Sequence, residues 1–518
     1  MIRHGAAVIG ALFLWATEPV EAQDVTLSSQ GGGVEISGDL LGFDGEFYRV
    51  DTVFGEMTID GSGVRCEGPG CPDLLDFVPE IRMSGAAAIG EVMMPALLEA
   101  FALRSGYTIM RTRIGSTDFD MQVLSGETGK PVAQFTFGAT TTDEGFADLL
   151  ANEADVVLSM REIRPTERQR AREAGLGDLS QANRSRVLAL DAIVPLVALE
   201  NPLQAIDPKA LASALAGDIK NWAQLGGPDA PIALHVPDAR TGLGQAVEDR
   251  LLKSSGLRLS DRAQRHVLST NLAAAVMRDP FALGVASFAE TGNAKILALT
   301  GECGFELHAS RRTIKTEDYP LTSPMFLYLP ARRLPKIGRE FLAFLRSPSA
   351  QLVIRRAGFV DQTPEEIPVN DQGQRFVNAI HSAGPEVPLQ ELQRLVRTLS
   401  PLRRLTISFR FEAGSVRLDA QSRSNVQQLA RAMEQGQYDS RSLLFVGFSD
   451  GEGAAVANRD IALRRAEAVR RAVQAAAVTV DFEHVGLEVD AFGEALPMAC
   501  DDSVWGKQAN RRVEVWVR

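Results

Sequence analysis

Asp450 and Arg465 stand fifteen residues apart in the last third of the chain. A carboxylate and a guanidinium that frame one cleft suit a ligand carrying both charges, because each forms charge-assisted hydrogen bonds with its opposite. The elements that must position them are legible from pattern. Ser442 to Phe448 is rich in Leu, Phe and Val and is stopped by Ser449-Asp450-Gly451, which predicts a buried strand with Asp450 at its end. From about Val456 the apolar residues Ile461, Ala462, Ala466, Val469, Ala472 and Val473 recur at helical spacing, and Asn458, Ile461 and Arg465 fall near one line along that helix. Asn510-Arg511-Arg512-Val513-Glu514-Val515-Trp516-Val517 alternates polar and apolar residues, as a final half-buried strand does. A bland reading is equally concrete: Asp450 caps the helix and Arg465 makes a weak surface ion pair.

The order Gly447-Phe448-Ser449-Asp450, Asn458, Ile461-Ala462, Arg465-Ala466, Val469 and Asn510-Arg511-Arg512-Val513-Glu514 resembles the OmpA-like peptidoglycan-binding domain, over roughly Ser400 to Arg518. The resemblance implies an α/β sandwich. It also implies that Asp450 and Arg465 hold the ammonium and carboxylate of meso-diaminopimelate in peptidoglycan, with Ser449, Asn458 and Arg511 beside them. Ser449 stands where Thr is common, and Ile461-Ala462 where Leu-Ser is usual; neither departure removes a charge.

A second resemblance, to the periplasmic phosphate-binding proteins of ABC importers, covers roughly Ile81 to Val360. It is carried by Met83-Ser84-Gly85 with Ala88-Ile89-Gly90, by Ala154-Asp155-Val156-Val157-Leu158-Ser159-Met160-Arg161, and by Leu190-Asp191-Ala192-Ile193-Val194-Pro195. Lys220-Asn221-Trp222, Leu225-Gly226-Gly227-Pro228 and Asp318-Tyr319-Pro320-Leu321 follow in the same order. It implies two α/β lobes joined by crossover strands and closing on a ligand by hinge motion. An oxyanion site of that kind needs hydroxyls, backbone N–H groups and an Arg. Here Ala86 and Ala88 stand where Ser and Thr are usual, and Met160 replaces an Asp found in some members. The remaining candidates are Thr140, Thr141, Arg161, Arg240, Thr241 and Gly242, before a helix expected near Gln245. Each lost donor in a buried anion site costs about 1 to 3 kcal/mol, so the cleft is expected to be degraded for phosphate, with phosphate or another small anion as the alternative. As a bland reading, Thr241-Gly242-Leu243-Gly244 is only a turn and helix start, and Arg161 is solvated.

The 518 residues suggest three or so domains, and the formal net charge of −12 speaks against nonspecific nucleic-acid binding. Residues 1–22 read as a signal peptide: Met1-Ile2-Arg3-His4, an apolar run from Ala6 to Ala16, and Val20-Glu21-Ala22 before a cut. An uncleaved anchor is the alternative. No later stretch reaches the roughly 18 to 20 apolar residues of a membrane span. Residues 23–76 read as a small β unit, 77–362 as the two-lobed α/β body, 363–399 as a Pro-rich linker with a short helix from about Leu389, and 400–518 as the C-terminal α/β module. Four cysteines in an exported chain allow two disulfides. Cys66 and Cys71 sit in one Gly/Pro-rich loop, which favours a local bridge and leaves Cys303 and Cys500; a zinc site is the other use. No metal, cofactor or catalytic residue is nominated: there is no His-Glu-x-x-His, no nucleophile elbow is read, and the histidines are scattered. The expectation is a noncatalytic periplasmic protein attached to the cell wall and associated with the outer membrane, binding peptidoglycan and other envelope proteins.

Overall fold

The computed structural model describes residues 24–74, 77–115, 117–181, 183–412 and 414–518. The signal-peptide reading of 1–22 lies outside the described residues. The chain forms two compact units, one up to Pro79 and the other from Glu80 to Arg518.

The first unit is an antiparallel sheet in the order Gly55–Asp60, Phe47–Thr52, Glu35–Phe43, Val25–Ser29, Val64–Glu67. Val25, Leu27, Tyr48 and Val50 alternate inward and form its core. A disulfide between Cys66 and Cys71 closes the loop after the last strand. For so small a core such a staple is a substantial part of stability.

In the second unit, one sheet runs through two lobes. Tyr107–Arg113, Asp118–Ser125, Pro131–Thr140, Glu80–Ala86 and Val156–Ser159 belong to the first lobe, and Ala282–Ser287, Ala233–Pro237 and Gln264–His266 to the second. Between them the long strands Ser185–Val197 and Thr322–Tyr328 pair antiparallel and pass from lobe to lobe. Each lobe has its own apolar core, one around Phe135, Phe137 and Phe341, the other around Trp222, Tyr319 and Leu272.

The C-terminal module is a sheet in the order Glu366–Ile367, Arg403–Phe409, Arg512–Val517, Ser442–Phe448, Gly486–Gly493. Helices Ala420–Glu434 and Ala455–Ala476 cover one face through Leu429, Met433, Val469 and Val473. The stretch expected to be a linker, 363–399, contains the expected helix, Leu389–Leu399, but also supplies the edge strand Glu366–Ile367 and the helix Gly373–Ser382. Their Ala379, Leu395 and Leu399 cover the other face, over Leu444, Val446, Phe448 and Trp516. With helices on both faces, the last strand is not half-buried as its alternation suggested: all of Arg512–Val517 is buried.

Its polar residues face a buried ionic network. Arg404 donates to both oxygens of Asp318 at 2.6 and 2.9 Å. Its Nε lies 3.3 Å from Glu514, which also accepts from Arg512 at 2.7 Å and Arg375 at 2.5 Å. Burial alone would raise the Asp318 pKa, but the Arg404 charge and its hydrogen bonds prevail and hold it below the usual carboxylate range. Asp318 belongs to the body and Arg404 to the module, so this network joins them. The disulfide Cys303–Cys500 and the bonds of Asp502 to Glu302 N and Lys209 Nζ fix the module to the second lobe. Ala420, packed among Phe146, Leu149 and Tyr328, and the Arg423–Glu162 ion pair attach it to the first lobe.

At the same seam Arg410 donates to the Glu317 carbonyl, and Asn425 to the Glu317 carboxylate. Burial, then the nearby Asp419 charge, push the Glu317 pKa from 4.5 up to about 8. The folded chain therefore holds this proton more tightly than the unfolded chain, and the contribution to stability is present below 4.5 and is lost as pH rises to about 8. Urea unfolding across that window should show Glu317→Gln removing part of the decline in stability toward alkaline pH.

Candidate functional site

Gly447 decides how closely the helix bearing Arg465 approaches the strand bearing Asp450. A Cβ at Gly447 would fall 2.0 Å from the Ala462 carbonyl oxygen, so only glycine admits the contact. The helix Ala455–Ala476 then lies against Ser442–Phe448 with Asn458 and Arg465 turned inward. Asp450 is 8% exposed and Arg465 5%.

Asp450 does not cap the helix, and its ion pair is with Arg511, whose Nη1 donates to Oδ2 at 2.5 Å. Arg465 has a buried Nε without a hydrogen-bond partner, and its guanidinium lies over the Phe411 ring at 5.1 Å. Burial, then the Arg511 charge, lower the Arg465 pKa, and Asp450 opposes them. Asp450, Arg465 and Arg511 thus form one electrostatic group, with Arg465 as its unpaired cation. The surface ion pair of the bland reading is not what the structure contains.

Around this group, Asn458 donates to Glu494 Oε2 at 2.7 Å, and Asp501 accepts from Gly451 N and Asn510 Nδ2, each at 2.7 Å. Asn510 also holds Met498 N, Ala499 N and Ala499 O, which pins the loop after Gly486–Gly493 against the site. Phe411, Glu494 and Asp501 were not reached from sequence; no local pattern marks them, because they arrive from other elements. Against the expectation of no Gly-x-Ser-x-Gly elbow, Gly447-Phe448-Ser449-Asp450-Gly451 does have that spacing. Ser449 Oγ, however, is buried with no hydrogen-bond partner, so no base is positioned to activate it.

The second candidate set lies in the body. Thr141 caps the helix Thr142–Leu150, its hydroxyl accepting from Glu144 N at 3.1 Å. Arg161 is not solvated; it pairs with Asp143 and, at 2.7 Å, with Glu167. Arg240 has an 81% exposed side chain bound to Asp238 at 2.9 Å. Thr241 caps Gly242–Val247, so that helix begins three residues before Gln245. Thr140 Oγ1 is buried without a partner. Gly242 of the second lobe meets the first lobe directly: a Cβ there would lie 2.9 Å from Ala86 Cβ and 3.0 Å from Met160 Cγ. Two of the three residues that depart from the donor pattern, Ala86 and Met160, are thus in contact across the lobes. Among the described residues no group of three or more His, Cys, Asp or Glu side chains is placed to hold a metal.

A two-lobed binding-protein body with crossover strands, continued by an α/β module that gathers Asp450, Arg465 and Arg511, defines the class. The chain belongs to the PBP superfamily, whose domain model matches residues 81–349, and it carries a C-terminal domain of the OmpA family over 410–511. Protein SphX of Synechococcus elongatus is 25% identical over 237 residues, 43% of this chain and 68% of SphX. Phosphate-binding protein PstS of Borreliella burgdorferi is 23% identical over 189 residues, 35% of this chain and 67% of PstS. Among solved structures, an ABC-type phosphate transport receptor from Vibrio cholerae aligns at 19% identity and a TM-score of 0.42, covering 54% of this chain and 99% of the receptor. The peptidoglycan-associated lipoprotein from Burkholderia pseudomallei aligns at 26% identity and a TM-score of 0.19, covering 21% of this chain and 89% of the lipoprotein.

Gly242→Ala should destabilise the protein by about 1 to 3 kcal/mol, since its methyl group would overpack a contact in which Ala86 Cβ has no rotamer to yield. Chemical denaturation of the variant beside the parent chain measures the loss.

Proposed function

We propose that this is a noncatalytic protein of the bacterial periplasm that binds peptidoglycan through its OmpA domain and holds its PBP body at the cell wall. The observation that carries the reading is the convergence of Asp450, Arg465 and Arg511, with Arg465 buried and lacking a carboxylate partner of its own. A zwitterionic amino acid supplies both missing complements: its carboxylate pairs with Arg465, and its ammonium shares Asp450 with Arg511. The diaminopimelate of the stem peptide has that chemistry, and Ser449 and Asn458 flank the same cleft. Membership in two families of binding proteins supports a noncatalytic role, and no helix among the described residues is long and apolar enough to cross a membrane. Attachment is assigned to the wall, in association with the outer membrane, on the strength of the OmpA domain.

The body's cleft is read as degraded for phosphate. Arg161 and Arg240 are engaged by carboxylates, Thr141 and Thr241 by helix caps, and Ala86, Met160 and Gly242 are in apolar contact where donors would be needed. The body then serves as an adaptor that contacts other envelope proteins. A wall-tethered receptor for phosphate or another small oxyanion is the second reading. It is favoured by the buried, unpartnered hydroxyl of Thr140 and by the phosphate-binding relatives.

Asp450→Ala and Arg465→Ala should each abolish sedimentation of the purified protein with isolated sacculi; retention by either variant would refute diaminopimelate recognition. Calorimetric titration with inorganic phosphate should give the same isotherm for the parent chain and Thr140→Val. Micromolar binding that Thr140→Val removes would establish the receptor reading instead.

A further inference from the structure

Three arginines meet in a second cavity, at the seam between the first lobe and the C-terminal module. Arg186 comes from the crossover strand Ser185–Val197, Arg346 from the turn after helix Lys336–Phe344, and Arg431 from helix Ala420–Glu434 of the module. All three line one cavity of about 140 Å³. No carboxylate among the described residues forms an ion pair with any of them. Burial, then the charges of Arg346, Arg431 and Arg184, lower the Arg186 pKa to about 10; burial, then Arg346, lower Arg431 to about 10 as well, with Glu434 opposing. Arg186 and Arg431 are half-buried and Arg346 is exposed; like charges brought together with reduced solvation are costly unless something compensates them. Elsewhere at the seam, by contrast, Arg404, Arg375, Arg512 and Arg423 each face a carboxylate.

Buried polar atoms in the lining also lack partners, and two of them bear on the chemistry of a ligand. Arg186 Nε is an unused donor, and Gln362, 5% exposed, has an Oε1 that accepts nothing. A ligand that satisfies both must accept from guanidinium groups and also donate one hydrogen bond. A partly protonated oxyanion does so: its oxygens take the forked N–H groups of arginine and its hydroxyl faces the amide oxygen.

We propose that this cavity is a binding site for a small multivalent oxyanion of the hydrogen phosphate type, held by Arg186, Arg346 and Arg431. The site is separate from the cleft between the lobes and from the Asp450–Arg465 pocket. Because Arg186 and Arg346 belong to the body and Arg431 to the module, the bound anion links the two by offsetting a repulsion that the protein leaves uncancelled.

The test uses the full chain, titrated in a chloride buffer with inorganic phosphate and, in a parallel arm, with glycerol 3-phosphate, which separates a free phosphate from a phosphate monoester. One-to-one binding is expected, weakened at least about tenfold in Arg186→Gln and in Arg431→Gln, each of which removes a charge-assisted contact. Without anion, Arg431→Gln should melt at a higher temperature than the parent chain, since it relieves like-charge repulsion. At one phosphate concentration, phosphate should raise the melting temperature of the parent more than that of the variant. Should Arg186→Gln fail to fold, Arg346→Gln, at an exposed position, takes its place. The proposal is overturned by the absence of saturable binding up to about 10 mM of either anion, or by binding that persists unweakened in Arg431→Gln.

Discussion

The pairing of Arg404 with Asp318, buried together with Glu514, Arg512 and Arg375, is the interaction on which the arrangement of this chain depends. Two carboxylates and three guanidinium groups sit where water cannot solvate them, and each is tolerable only because the others are present. Removing one member would leave a bare charge in a dry seam. The network therefore contributes specificity: it admits one docking geometry between body and module and penalises alternatives that separate its members. The Cys303–Cys500 bridge limits the same freedom covalently.

That docking has a consequence for the body. Hinge closure needs the two lobes to move as separate rigid units about the crossover strands. Here the module is attached to the second lobe by a disulfide and by Asp502, to the first by Ala420 and Arg423, and to Asp318 just before the strand Thr322–Tyr328. Ala86 and Met160 against Gly242 add an apolar contact between the lobes themselves. A body braced in this way suits a scaffold better than a receptor that opens and closes on each ligand.

The two pockets of the seam and the module differ in how their charges are balanced. At Asp450 the carboxylate has a guanidinium partner and Arg465 is the unpaired cation; at Arg186 no carboxylate among the described residues forms an ion pair with the cluster. Cations that have lost part of their hydration and face no counterion are informative, because a ligand anion is the natural complement. The body's cleft shows the reverse, with its candidate cation Arg161 already neutralised by Asp143 and Glu167.

Much of the candidate site's placement was legible in the chain. The apolar run ending at Phe448 and the helical spacing through Val473 place Asp450 and Arg465, because strand and helix periodicity are local properties. The family-specific order of residues brought Arg511 in as well. What local pattern could not supply was partnership: Arg511 pairs with Asp450 across 61 residues, and Arg404 finds Asp318 across 86. Residues 363–399 looked like a linker because their prolines break regular structure, yet tertiary burial of Ala379, Leu395 and Leu399 makes them a layer of the module. The alternation of Arg512 to Val517 suggested one wet face, which those same helices cover. The sequence by itself determined which elements form and which charged side chains they carry, since both follow from neighbours within a turn or a strand. Only the tertiary structure decided which charges are paired and which are left bare, because that depends on distances between segments far apart in the chain and on where water is excluded.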